Sequence, residues 1–267
     1  MKKIILIIFS LISLTINAQN LTILPVNDPH SHIEPERSGR DQGKGGVIER
    51  SVIIDSIRTV NGKQNVLLLH AGDFSQGTSY FTILKGDLEV DVINSMKYDC
   101  VTIGNHEFDN DMAELARRIK NIKCPVVCAN YDWGTEKPGK YIKPYTIIKK
   151  AGKKIGIVGM LVDVNTCVAA PIASKIKKLD NVETLNKCAK FLKEEKGCDL
   201  VICLSHLGFD VDMRLIPKVR NVDLVVGGHS HTFLKEIKYA IDLDGKKIPV
   251  VQDGCWGISV GEITYKF

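Results

Sequence analysis

Five short segments of this chain carry side chains able to bind a metal ion, and each comes just after an apolar run. They are Asn27-Asp28-Pro29-His30 after 21–26, Gly72-Asp73 after 66–69, Gly104-Asn105-His106-Glu107 after 101–103, Ser205-His206 after 201–204, and Gly228-His229-Ser230-His231 after 224–226. Six of the seven histidines fall in or beside these segments; only His70 lies inside a run. In extended backbone, residues i and i+2 point to the same side, so Asp28 and His30 can grip one ion, and His229 and His231 can face one site. Mixed carboxylate and imidazole donors suit borderline ions such as Zn²⁺, Mn²⁺ or Fe²⁺ better than Ca²⁺. Alone, an Asp-x-His in a turn commonly only caps or hydrogen-bonds; five such segments in one chain are a far more specific signal.

The elements that must position these groups are legible as alternating patterns. Strands are predicted at 21–26, 65–70, 101–103, 125–129, 145–148, 155–160, 200–204 and 224–226, and helices at 47–60, 90–96, 112–119 and 182–195, the last stopped by Gly197. From Ile237 the pattern is all strand, which fits a second sheet. The stretch 131–141, rich in Gly, Lys and Pro, reads as an irregular connection, and Asp253-Gly254 as a hairpin turn. Alternating β and α predicts an α/β fold with strands packed under helices. Strand C-terminal ends are where such folds place their ligand sites.

Composition sets the frame. Met1-Lys2-Lys3, an apolar stretch 4–16 and the small residue Ala18 have the layout of a secretory signal over 1–18, too short to span a bilayer. Residues 19–267 then form one exported domain, periplasmic or secreted, with no later membrane span. Formal charge is +5, and +3 without Lys2 and Lys3. The clusters Lys149, Lys150, Lys153, Lys154 and Lys175, Lys177, Lys178 read as solvated turns, so nucleic-acid binding is not expected. Eight cysteines permit disulfides outside the cytoplasm, but most sit in apolar runs and read as unpaired core residues. Cys124 and Cys128 are expected in one strand.

Taken together, the motifs resemble the calcineurin-like metallophosphoesterases, and within them the periplasmic 5′-nucleotidases. The text that carries the resemblance runs from Asn27-Asp28-x-His30-Ser31 through Gly72-Asp73, Gln76-Gly77-Thr78, Lys85-Gly86-Asp87, Gly104-Asn105-His106-Glu107-Phe108-Asp109, Ser205-His206-Leu207-Gly208 and Gly227-Gly228-His229-Ser230-His231. It implies a four-layer αββα sandwich in a single domain. It also implies two divalent ions (Mn, Zn, Fe or Co): Asp28, His30 and His231 would hold the first, Asn105, His206 and His229 the second, and Asp73 would bridge both. His106 matches the family's catalytic histidine and Asp109 its orienting partner, with Asn105 and His106 touching the substrate phosphate. The implied reaction is hydrolysis of phosphate monoesters, 5′-nucleotides above all, by a metal-activated water. Other expectations on the same scaffold are a phosphodiesterase acting on 2′,3′-cyclic nucleotides or nucleotide sugars, and a non-catalytic metal-binding subunit.

Departures from the family pattern are Pro25 and Pro29, where it commonly has His and Thr. The resemblance also implies a second, C-terminal domain that grips the nucleoside; it is expected to be missing from this chain, with a separate chain supplying it as the expected partner. Residues read more plainly are His32 (surface or supporting), His70 (packed beneath the site), Glu107 (a helix-start carboxylate), Gly45-Gly46 (a helix opening), and Asp163 and Asn165 (turn caps).

Overall fold

The computed structural model describes residues 20–267; the expected export signal at 1–18 lies outside them. The strands in chain order are β1 (Leu21–Val26), β2 (Val66–His70), β3 (Cys100–Thr102), β4 (Val126–Val127), β5 (Tyr131–Asp132), β6 (Ile142–Lys143) and β7 (Tyr145–Lys150). They continue with β8 (Lys153–Leu161), β9 (Lys177–Lys178), β10 (Leu200–His206), β11 (Leu224–Val226), β12 (Lys238–Ile241), β13 (Lys247–Val251) and β14 (Ile263–Tyr265). The helices are α1 (Val47–Asn61), α2 (Ser79–Leu84), α3 (Asp87–Met96), α4 (Met112–Asn121), α5 (Ala170–Ala173), α6 (Asn181–Lys190) and α7 (Phe209–Leu215).

Two six-stranded sheets form, in the orders β14-β1-β2-β3-β4-β6 and β12-β13-β11-β10-β8-β7. Alternation along the strands decides what lies between them. Leu21, Ile23, Leu67, Leu69, Ile155, Ile157, Ile202, Leu204, Leu224 and Val226 share one buried cluster, the core between the sheets. Their neighbours point the other way. Val66, Leu68 and Val101 join Ile54 of α1, Ile93 of α3 and Leu115 of α4. Val201, Cys203 and Val225 join Leu185 of α6 and Leu215 of α7. Strands buried on both faces read as continuous apolar runs, and the outcome is the four-layer αββα sandwich.

Within the sheets, β1, β2 and β3 run parallel, as do β8, β10 and β11. Their C-terminal ends therefore share an edge, and the five polar segments converge there. The β1–β2 pairing runs past both strands: Ala71 N–H donates to Val26 O, Asp28 N–H to Gly72 O, and His30 N–H to Asp73 O. Because Val26 O faces β2, the Pro25 nitrogen faces the β14 side, where pairing ends at Ile23. Its missing donor breaks no ladder there.

Several local expectations change. The strand expected at 125–129 shortens to β4, leaving Cys124 and Cys128 outside it. The helices α2 and α7 were not legible, and 131–141 holds β5 and a 3-10 turn at Lys137–Lys140. The helix expected over 182–195 ends in a π-helical turn at Phe191–Glu195. All eight cysteines are free. The final strands divide: β12 and β13 extend the second sheet, whereas β14 crosses to pair with β1. Asp253-Gly254 is thus no hairpin turn, since its flanking strands lie in different sheets.

That crossover leaves Asp253 half-buried beside Pro25 and Gly261, whose N–H donates to Oδ2. Burial pushes its carboxyl up to about 6 from an ordinary value of 3.8. Between those pH values the folded chain binds a proton that the unfolded chain does not, so this group's contribution to stability falls as pH rises through the window. Asp253→Asn, which keeps an acceptor for Gly261, is expected to stabilise the protein by up to about 3 kcal/mol at pH 8 and by only about 0.5 kcal/mol near pH 4. Urea midpoints at the two pH values check this; equal gains at both would refute it.

Candidate metal centre

All seven expected ligands meet where the two sheets end. Asp28, His30, Asp73, Asn105 and His206 are buried, His229 is half-buried and His231 has an exposed side chain. Donor atoms from three overlapping trios lie within 4.8 Å of one another: Asp28, His30 and His231; Asp73, His206 and His229; and His30, Asp73 and His106. Asp73 belongs to two of these groups. Its Oδ2 is 3.1 Å from His206 Nε2 and 3.8 Å from His30 Nε2. Its Oδ1 accepts the His106 N–H at 2.9 Å.

The donor set fits cations. His30 Nε2 faces His231 Nε2 at 2.9 Å, and His229 Nδ1 faces Asn105 Oδ1 at 2.9 Å. Lone pairs that close need a shared proton or a shared ion. His206 is fully buried; its Nδ1 is tied to Ala71 O at 2.6 Å, while Nε2 turns into the cluster, 3.1 Å from Asp73 Oδ2. Tying one ring nitrogen to a carbonyl and aiming the other inward is how ligand histidines are held. Without a cation the electrostatics are strained. Burial pushes the Asp28 carboxyl well up. Burial also acts to raise Asp73, but His206, His30 and His106 together outweigh it and hold that carboxyl below the usual range. His206 is raised because Asp73 and Asp28 overcome the opposite effect of its burial. His30 and His229 are pushed down to about 4, mainly by burial, and so stay neutral with lone pairs available. A divalent ion would invert this balance.

The backbone is bent to suit. Asp28, His30, Asp73, His229 and His231 all have positive φ, between 46° and 75°. Each such non-glycine residue costs on the order of 1 kcal/mol, and such strain clusters at functional sites. Gly104 permits the close approach: a Cβ there would lie 2.1 Å from Asp73 Oδ1 and 2.5 Å from His206 Nε2.

Residues 21–233 match the family described as calcineurin-like phosphoesterase. The chain belongs to that family. A snake venom 5′-nucleotidase from Naja atra is 37% identical over 271 residues, covering 92% of this chain and 50% of that protein. A human 5′-nucleotidase is 34% identical, covering 94% of this chain and 47% of its own length. Among solved structures, a 5′-nucleotidase precursor from Thermus thermophilus superposes with a TM-score of 0.84 at 31% identity, over 93% of this chain and 51% of that one. The chain spans about half the length of the curated relatives it matches. Among the described residues no helix is long and apolar enough to cross a membrane.

In this phosphoesterase fold the residues read as plainer fall into place. His106 Nδ1 lies 2.8 Å from Asp109 Oδ2, and Asp109 raises the His106 pKa above the usual histidine value. His70 is buried beneath the site, where its Nδ1 accepts the Gly72 N–H. His32 stacks on Trp256 at 5.0 Å and contacts Glu36. Gly46 opens α1, and Asp163 caps a 3-10 turn at Val164–Thr166.

Sequence reasoning missed the clasps. Glu107 does stand in the first turn of the 3-10 helix His106–Phe108, but it is fully buried: Oε2 accepts N–H bonds from Asp73 (2.9 Å) and Gly104 (2.6 Å), and Oε1 one from Ser75 (3.0 Å). It joins the loops after β2 and β3. Asn27 donates to Asp28 Oδ2 and Gly254 O, and accepts from Asp253 N–H. Gln252 accepts from Ser230 Oγ and Thr232 N–H, and donates to Gly228 O, fixing the His229–His231 turn. The available signal was a polar side chain beside each strand end. Glu107→Gln places an amide donor against backbone donors and is expected to cost about 1–3 kcal/mol and to lower metal affinity about 10–100-fold. Calorimetric titration with Mn²⁺ checks it; wild-type affinity with unchanged stability would remove the clasp.

Proposed function

We propose that this chain hydrolyses phosphate monoesters, with 5′-nucleotides, the class its relatives' names specify, as the expected substrates. The observation that carries the reading is Asp73, buried between His30 on one side and His206 on the other. Asp28, His30 and His231 would hold one divalent ion, Asn105, His206 and His229 a second, with Asp73 between them. When bound, such a pair neutralises phosphate charge and supplies hydroxide near neutral pH.

The chain's own groups then divide the remaining work. With Nδ1 engaged by Asp109, His106 keeps Nε2 as the nitrogen that can give a proton to the leaving oxygen or bond the phosphoryl oxygens. The Asp109 carboxylate favours the charged ring that this requires. Asn105, its Oδ1 turned to His229, retains its amide N–H₂ for a phosphate oxygen. The continued β1–β2 backbone pairing and the side-chain bonds from Asn27, Glu107 and Gln252 hold these groups in place before substrate arrives.

The test is hydrolysis with Mn²⁺, Co²⁺ or Zn²⁺, read as phosphate release from AMP and ADP and as nucleotide monophosphate products from 2′,3′-cyclic AMP and NAD. Turnover of AMP is expected, and its loss on chelation. Asp73→Asn is expected to lower activity at least about 10²-fold together with metal content. His106→Ala is expected to keep both ions and lose about 10²–10⁴-fold in kcat. Loss of metal in that variant would show that His106 is a ligand instead. No turnover of any ester by the metal-loaded chain would overturn the reading.

A further inference from the structure

Behind the Asp28–His30 turn lies a small cavity of about 20 Å³ that the catalytic reading does not use. It is lined by Pro29 and Ser31 from the turn, Arg50 of α1, His70 of β2, and Glu89 of α3. Ser31, Arg50 and Glu89 are 1%, 4% and 3% exposed. Ser31 Oγ, Arg50 Nε and Nη1, and both Glu89 carboxylate oxygens lack any hydrogen-bond partner. Buried charges left in this state are strongly unfavourable. Gly257 keeps room for the arginine, since a Cβ there would meet Nη1 at 2.1 Å.

The chemistry selects the occupant. A cation would be opposed by the guanidinium and an anion by the carboxylate. A neutral molecule that both donates and accepts can bond all three side chains at once. The volume exceeds the roughly 10–15 Å³ that one water requires, and a buried water needs two to four polar partners. We propose that Ser31, Arg50 and Glu89 bind one internal water, and that this bridge positions the turn carrying Asp28 and His30. Asp28, His30 and Ser31 all have positive φ (49°, 46° and 56°), so the turn persists only where its surroundings dictate it. The Ser31 backbone is already held: its N–H donates to Phe74 O and its carbonyl accepts from Thr78 Oγ1. Through the water, Ser31 would also be tied to α1 and α3. Ser31, Arg50 and Glu89 are positioning residues, and this part rests on the metal reading above.

Two measurements on the full chain test it. A high-resolution crystal structure of the wild type is expected to show a water within hydrogen-bond distance of Ser31 Oγ, the Arg50 guanidinium and the Glu89 carboxylate. Calorimetric Mn²⁺ titration is expected to show Glu89→Leu weakening one of the two ions about tenfold, with Glu89→Gln, which keeps an acceptor, restoring most of that affinity. Ser31→Ala, a smaller change, carries the test if Glu89→Leu does not fold. A dry cavity, or Arg50 and Glu89 in direct contact, overturns the water site. Wild-type Mn²⁺ affinity in both Glu89→Leu and Ser31→Ala overturns the positioning role while leaving the metal centre standing. A wild type that binds no Mn²⁺ overturns the metal reading and the positioning role together, and the water is then judged from the density alone.

Discussion

The organising constraint is a carboxylate, Asp73, buried to 1% exposure where two sheets end and flanked by histidines on both sides. A carboxylate so placed must be answered by positive charge or by hydrogen bonds. Oδ1 receives one backbone N–H, from His106, while Oδ2 faces the His206 and His30 rings. With Asp28 buried alongside, the cluster sets two carboxyl groups in a cleft that water barely reaches. The rest of the site follows from it: the neutral histidines that offer lone pairs, the glycine that leaves room, and Glu107, whose acceptors fix the Asp73 backbone.

The sandwich serves this point. Parallel strands bring β1, β2 and β3 out at one edge, and β10 and β11 of the second sheet beside them. His206 closes the gap between sheets, reaching from β10 to the carbonyl of Ala71 after β2. The inter-sheet core of Ile23, Leu69, Ile157, Ile202 and Val226 sets that spacing. Strain at the ligands is borne locally by the continued β1–β2 pairing and the side-chain clasps.

Much of this was legible in the residues. Strands buried on both faces announce themselves as runs such as 66–69 and 201–204, and a polar residue just past each run marks the site. Glu107 was not legible because only the fold shows that three donors from two loops point at it. Asp253 was misread because a turn-like dipeptide says nothing about which sheet the next strand joins. Left-handed backbone at Asp28, His30, Asp73, His229 and His231 is equally silent, since none of these residue types demands it. The short helices α2 and α7 carry too few turns for periodicity to register.

The central claim is that one aspartate is shared by two ions. It is tested most directly by electron paramagnetic resonance of the chain titrated with Mn²⁺. Ions about 3.5–4 Å apart across a carboxylate are expected to give an exchange-coupled spectrum that saturates at two equivalents. An uncoupled six-line signal, or saturation at one equivalent, would contradict it.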